Sequence, residues 1–170
     1  SWANANTQGN ASYDPVTTTW TFVNYSYSNM PNRGSGTFNV GASSTYATIS
    51  TTKADASIIA DSATNITNAI FNVTNGNTHN RNSVIVKNVV NGSGNTFTIN
   101  GDNNNGVLVD TNGDFRTSDE FRVRGNNTGK NNGVYLSAGK VTATGATFSV
   151  TSYQSNGINN QGGDLVSVSG

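Results

Sequence analysis

The sequence has no cysteine, one histidine, one glutamate and only two prolines. The missing cysteine excludes a disulfide framework and thiol chemistry. Charged residues are 11% of the 170, nine basic against nine acidic, where an ordinary soluble domain carries about 25%. So even a balance leaves no net field for nucleic acid or an anionic membrane surface, and neither is expected as a partner. No apolar run approaches the length of a membrane span. No signal peptide is visible, as would also be true of a mature secreted chain.

Asparagine, threonine, serine and glycine fill the space: 29 Asn, 23 Thr, 19 Ser and 19 Gly, together 90 of 170 residues. Thr and the aromatics favour strands, and Asn and Gly favour turns, so an all-β fold is expected. Apolar residues are only 33%. An isolated monomer would bury a thin core, and association with copies of itself or with other subunits would supply the missing buried area.

The apolar residues are patterned. Phe97-Thr-Ile99-Asn-Gly101 is matched by Phe121-Arg-Val123-Arg-Gly125. Each is followed by an Asn-rich stretch and a short apolar run, Asn105-Gly106-Val107-Leu108-Val109 and Asn132-Gly133-Val134-Tyr135-Leu136. Weaker copies start at Phe148, Phe71 and Phe38, so that successive copies lie 33, 26, 24 and 27 residues apart. A period of this kind marks a repeated β unit. Phe-x-Val/Ile alternates with period two, which gives a strand one apolar face. Asn-Gly occurs seven times, against about three by chance, and readily forms a two-residue hairpin tip. The unit therefore reads as strand, Asn/Gly turn, strand. The expected architecture is antiparallel hairpins in a β-sandwich or a partly solenoid-like stack. Asn side chains are also able to pair in ladders between stacked strands.

The N-terminal third is less regular. Residues 1–50 read as an N-terminal β segment or assembly arm, and 51–170 as the repeated hairpin region, the whole also being readable as one continuous domain. Ile59, Ala63, Ile66 and Ile70 fall at i, i+4, i+7 and i+11, which predicts one short helix near 53–63. The final Asp164-Leu-Val-Ser-Val-Ser-Gly reads as a short strand, free to pair elsewhere.

Few residues suggest chemistry. Asp110, Asn112 and Asp114 alternate as the first three ligands of a calcium loop do, but Phe115 stands where such a loop needs Gly and Phe121 where it needs a bidentate Glu. The preferred reading is a hairpin with Asn112-Gly113 at its tip and Val107–Val109 pairing back onto Phe115–Thr117. The next copy supports it, carrying Ser137-Ala-Gly-Lys140 with no carboxylate. Calcium is thus the only cofactor to consider. His79 reads as a solvated loop residue. Arg116, Arg122 and Arg124 form a basic group, either a solvated strand face paired with Asp119 and Glu120 or a subunit contact. Trp20, Tyr25, Tyr27 and Tyr135 are candidates for stacking on a sugar ring.

The stretches Asn95–Val109 and Asp119–Val150, "NTFTINGDNNNGVLV" and "DEFRVRGNNTGKNNGVYLSAGKVTATGATFSV", resemble β modules of bacteriophage virion proteins, including tail fibres and surface decoration proteins. The resemblance implies a structural role in assembly or attachment, with no catalytic residues. The expectation is a non-enzymatic subunit of a virus particle, with other virion proteins or a cell-surface glycan as partners. A secreted filament subunit or adhesin assembling by strand addition is the alternative, and a carbohydrate-binding β module the next.

Overall fold

The computed structural model describes residues 8–14, 19–28, 36–39, 41–42, 45–51, 56–61, 63–75, 81–124, 129–151 and 153–169, with side chains for most of those from Ala56 on. Every regular element in it is a strand. Five begin the chain: β1 (Gln8–Asp14), β2 (Thr19–Ser28), β3 (Gly36–Asn39), β4 (Gly41–Ala42) and β5 (Thr45–Thr51). After β6 (Ala56–Ala60) and β7 (Thr64–Thr67) come β8 (Ala69–Asn75), β9 (Arg81–Val86) and β10 (Val89–Ser93). The next triplet is β11 (Thr96–Gly101), β12 (Asn104–Val109) and β13 (Asp114–Thr117), followed by β14 (Glu120–Val123), β15 (Asn132–Leu136) and β16 (Lys140–Thr144). The last is β17 (Thr147–Val150), β18 (Asn156–Asn160) and β19 (Asp164–Ser169).

These triplets are the coils of a parallel β-solenoid. Strands pair with the equivalent strand one coil away, not with their neighbour in sequence. One column is β5-β8-β11-β14-β17, a second β6-β9-β12-β15-β18, and a third β3-β7-β10-β13-β16-β19. About four turns are stacked in this way. At the N-terminal end, Thr19–Thr21 of β2 pair with β3 and Ser26–Ser28 pair with β5. A single strand thus joins the first and third columns, and β1 lies antiparallel along it. The short β4 is antiparallel to β5.

The expected antiparallel hairpins and sandwich are therefore overturned. The alternation of Phe121 and Val123 inward with Arg122 outward is real, but alternation only says that a strand has two faces. It does not say which strand lies beside it. Nor does a helix form near 53–63: Ala56–Ala60 is β6, with Ala56, Ile58 and Ala60 buried at period two. β-Branched residues and the Thr64-Asn-Ile-Thr run suit a strand better than a helix. Asn68, at φ 56°, then turns the chain into β8. The Phe38 copy is also misplaced in the sequence reading. Phe38 pairs with Ile66 in the third column, whereas Ile49 precedes Phe71 in the first.

What the repeat does fix is axial register. Phe71, Phe97, Phe121 and Phe148 are successive partners up the first column. Their rings stack with centroids 4.8, 4.8 and 4.9 Å apart and planes within 9°. That spacing is the separation of adjacent strands, so the backbone ladder itself sets the rings in contact. Phe115, from the third column, meets Phe121 edge-on at 6.5 Å. Phe71, Phe97, Phe115 and Phe121 are essentially inaccessible to solvent, and burying each contributes up to roughly 3 kcal/mol.

Replacing Phe97 with Ala removes a ring stacked on both sides and is expected to lower unfolding free energy by roughly 3–5 kcal/mol. Phe148→Ala, where the ring is half-buried and has one stacking neighbour, should cost clearly less. Urea midpoints of the two variants check this, and equal losses would show that the column is not the core.

Candidate functional site

Two polar arrays run through this apolar stack. The first belongs to the second column, where Asn82, Asn105, Asn132 and Asn156 are partners in register. Asn105 Nδ2 donates to Asn82 Oδ1 at 3.0 Å, Asn132 Nδ2 to Asn105 Oδ1 at 2.9 Å, and Asn156 Nδ2 to Asn132 Oδ1 at 3.1 Å. The two middle amides, Asn105 and Asn132, each donate to the coil before and accept from the coil after. The glycine after each of the upper three lets the ladder form. A Cβ at Gly133 would lie 2.7 Å from the Gly157 carbonyl and 3.2 Å from Phe121 Cβ, so only glycine allows the first and second columns to approach so closely.

The second array lies at the corner between the third column and the first. This corner is two residues long in three coils: Gly94-Asn95, Ser118-Asp119 and Gly145-Ala146. Asn95 turns inward and acts as a clamp. Its Oδ1 accepts from Ala69 N at 2.9 Å and its Nδ2 donates to the Ile66 carbonyl at 2.8 Å. One coil on, Asp119 is 1% exposed. Its Oδ1 accepts from both Asn95 N and Asn95 Nδ2 at 3.0 Å, and its Oδ2 accepts from Thr117 Oγ1 at 2.7 Å. Gly92 makes the room, since a Cβ there would run into the Asp119 carboxylate. Burial pushes the Asp119 carboxyl up to about 6, against the opposing pull of the bonds from Thr117 and Asn95. Among the described residues no cation pairs with it, and the bonds from Asn95 and Thr117 are what hold the buried carboxylate.

The residues singled out from sequence do not converge. The Asp110–Asp114 stretch is a corner between the second and third columns, not a hairpin tip: β12 pairs with β9 and β15, and β13 with β10 and β16. Asn112 does take a left-handed conformation, φ 65°, and Gly113 N donates to the Asp110 carbonyl at 2.8 Å. Asp110 Oδ1 accepts from Thr111 N, and Asp110 Oδ2 faces Lys87 at 4.0 Å. Asp114 Oδ2 is taken by Arg116 at 2.9 Å. Among the described residues no group of three or more His, Cys, Asp or Glu side chains is placed to hold a metal ion.

Arg116 lies in the third column, while Arg122 and Arg124 belong to the first, in and just after β14. Arg122 pairs with Glu120 at 2.8 Å, and Arg124 Nη1 donates to Ser149 and Thr151 at 3.3 Å. Trp20, Tyr25 and Tyr27 fall in β2, whose side chains are outside the described residues, as is His79. Tyr135 is half-buried on the outer side of the second column. No helix among the described residues is long and apolar enough to cross a membrane. One of the two sequence readings of the arginines set Asp119 on a solvated strand face as their partner, whereas it is buried. The signal that reading missed is position: Asn95 and Asp119 both stand two residues before a column phenylalanine.

The Asp119 corner predicts a pH dependence of stability. The folded state holds this proton more tightly than the unfolded chain, whose Asp titrates near 4. Stability is therefore full below about pH 4, falls as pH rises toward 6 and is flat beyond, a loss of roughly 2–3 kcal/mol. Asp119→Asn keeps an acceptor for Asn95 and places an amide beside Thr117 Oγ1, which is able to accept. It should abolish the fall and raise stability near pH 7.5 by roughly 1–3 kcal/mol. Urea titrations at both ends of that range decide it; an Asp119→Asn protein as pH-sensitive as the wild type would refute the assignment. Comparison of the chain with protein-family models, with curated protein sequences and with solved structures gives no match.

Proposed function

We infer that this chain is a non-enzymatic structural segment of an elongated assembly, a fibre or surface projection of a virus particle. The observation that supports it most is the stacking of like on like. Four phenylalanines and four asparagines are held at one axial spacing. Such an interior resists both slippage and bending, because any displacement along a strand breaks every rung together. The stretch that resembles phage virion modules, Asn95–Val150, runs from just before β11 to the end of β17.

The last described coil is built to receive another, from this chain or from a second copy. Asp164–Ser169 is not a free arm: β19 pairs in parallel with β16. Its other edge, with those of β17 and β18, has no partner strand among the described residues. Leu165 and Val168 continue the inward positions of Val141 and Ala143, yet are 42% and 53% exposed. Open edges and half-covered core residues together make a template for strand addition. This end equally favours the second setting, an extracellular filament or adhesin whose subunits stack.

Immuno-electron microscopy of the native source tests the role. Label should sit on virion fibres or projections, or on cell-surface filaments in the second setting; label only in dispersed soluble protein would overturn both. In solution, the purified chain should self-associate as concentration rises. The double variant Leu165→Lys, Val168→Lys should stay monomeric with an unchanged circular dichroism spectrum. Sedimentation equilibrium gives the answer, and a wild type that is monomeric throughout would count against assembly by this end.

A further inference from the structure

The outer side of the second column carries a groove of about 440 Å³, within the range of small-molecule sites. The asparagine ladder is its floor. One wall is Asn103 and Lys130, from the loops that lead into β12 and β15; the other is Leu108, Tyr135 and Asn159, partners in register on successive coils. The groove thus runs along the solenoid axis over parts of four coils, a length of roughly 14 Å at the strand spacing.

Its chemistry is specific. Asn105 and Asn132 are almost fully buried by protein, yet both line the groove. Each uses one amide hydrogen and one oxygen lone pair in the ladder, and an amide has a second of each. On these two coils the floor therefore has a donor and an acceptor beyond those the ladder uses. Tyr135 adds a half-exposed ring and a hydroxyl. Among the described residues lining the groove, Lys130 is the one that carries a charge, and it is a cation.

The geometry points to a binding site for a linear, carboxylate-bearing oligosaccharide laid along the axis. The coil spacing is close to the length of one pyranose unit in an extended glycan, so successive rings meet successive amides. The apolar face of one ring stacks on Tyr135, and a carboxylate on that or the adjoining unit reaches Lys130. A neutral glycan would gain the first contact and lack the second. This site does not depend on the assembly role proposed above, and its failure would leave that role untouched.

The test is calorimetric titration of the full chain with a uronic-acid hexasaccharide and with a neutral glucan hexasaccharide. The acidic sugar should bind more tightly, and its advantage should shrink with added salt. Lys130→Gln, at an exposed position, should erase the difference between the two sugars. Tyr135→Ala should weaken the acidic sugar by roughly 3- to 10-fold, with Tyr135→Phe retaining most of the affinity. Arg116→Gln, in the third column, should change nothing. Absence of binding by the acidic sugar, equal affinity for both sugars in the wild type, or a Tyr135→Ala protein that binds as well as wild type would each overturn the proposal.

Discussion

Everything in this structure depends on parallel pairing in register along one axis. Each residue sits above its equivalent at the spacing of a backbone ladder, so the interior has to be built from vertical columns. A column tolerates only a residue that packs on a copy of itself or on something of similar shape. Phenylalanine does so by stacking, with ring planes nearly parallel. Asparagine does so because its amide is both donor and acceptor, so that one residue type satisfies itself indefinitely. Buried polar groups are tolerable only when paired, and the ladder meets that demand without a second residue type. A chain rich in Asn and poor in charge is what such an interior needs, since a column of like charges would repel at every step.

Coil length varies while register does not. Successive partners in the first column, Ile49, Phe71, Phe97, Phe121 and Phe148, are separated by 22, 26, 24 and 27 residues. The differences are absorbed mainly where the chain passes from the first column to the second. Two residues separate β11 from β12, and eight separate β14 from β15. The corner from the third column back to the first is two residues long in three successive coils. Conserving that length keeps Asn95 and Asp119 at equivalent inward places, where each ties its own coil to the one before. Structural restraint and surface variety are thus assigned to different corners of the same coil. The variable corner supplies Asn103 and Lys130, which wall the groove, in keeping with the general placement of binding residues on loops over a rigid scaffold.

The sequence showed the period, the strand alternation and the apolar positions, because these depend only on a residue's place within its own strand. Pairing partners were not legible in the same way. Asn-Gly was read as a hairpin tip, yet Asn105-Gly106, Asn132-Gly133 and Asn156-Gly157 all lie inside strands. There the glycine admits a neighbouring column and the asparagine joins a ladder, a use of the dipeptide that turn statistics do not include. A clue was present: the Asn-Gly-Val/Ile runs recur in step with the phenylalanines, which is what coils stacked in register require and hairpins do not. The buried state of Asp119 was hidden for another reason. The space its carboxylate fills is left by Gly92, a residue of another strand, and nothing local marks an aspartate as inward.

The first and last described coils of the stack differ in how they are paired. At the start, β2 runs across the first and third columns and β1 lies antiparallel outside it, so the parallel pairing stops at a hairpin. At the other end the pairing pattern continues unchanged to its last strands. Phe148 and Ile158 are only partly covered. The ladder also has a direction. Asn156 donates to Asn132, which leaves its oxygen as the acceptor for a donor from above. A surface that completes this end must therefore place an amide over Asn156, an aromatic or flat apolar group over Phe148, and aliphatic side chains over Leu165 and Val168, while pairing with three strand edges simultaneously. Those requirements are met together by another coil of the same design. Solenoid repeats gain much of their stability from the neighbour on each side, so the half-exposed residues of the last coil are the places where a stacked partner would add most.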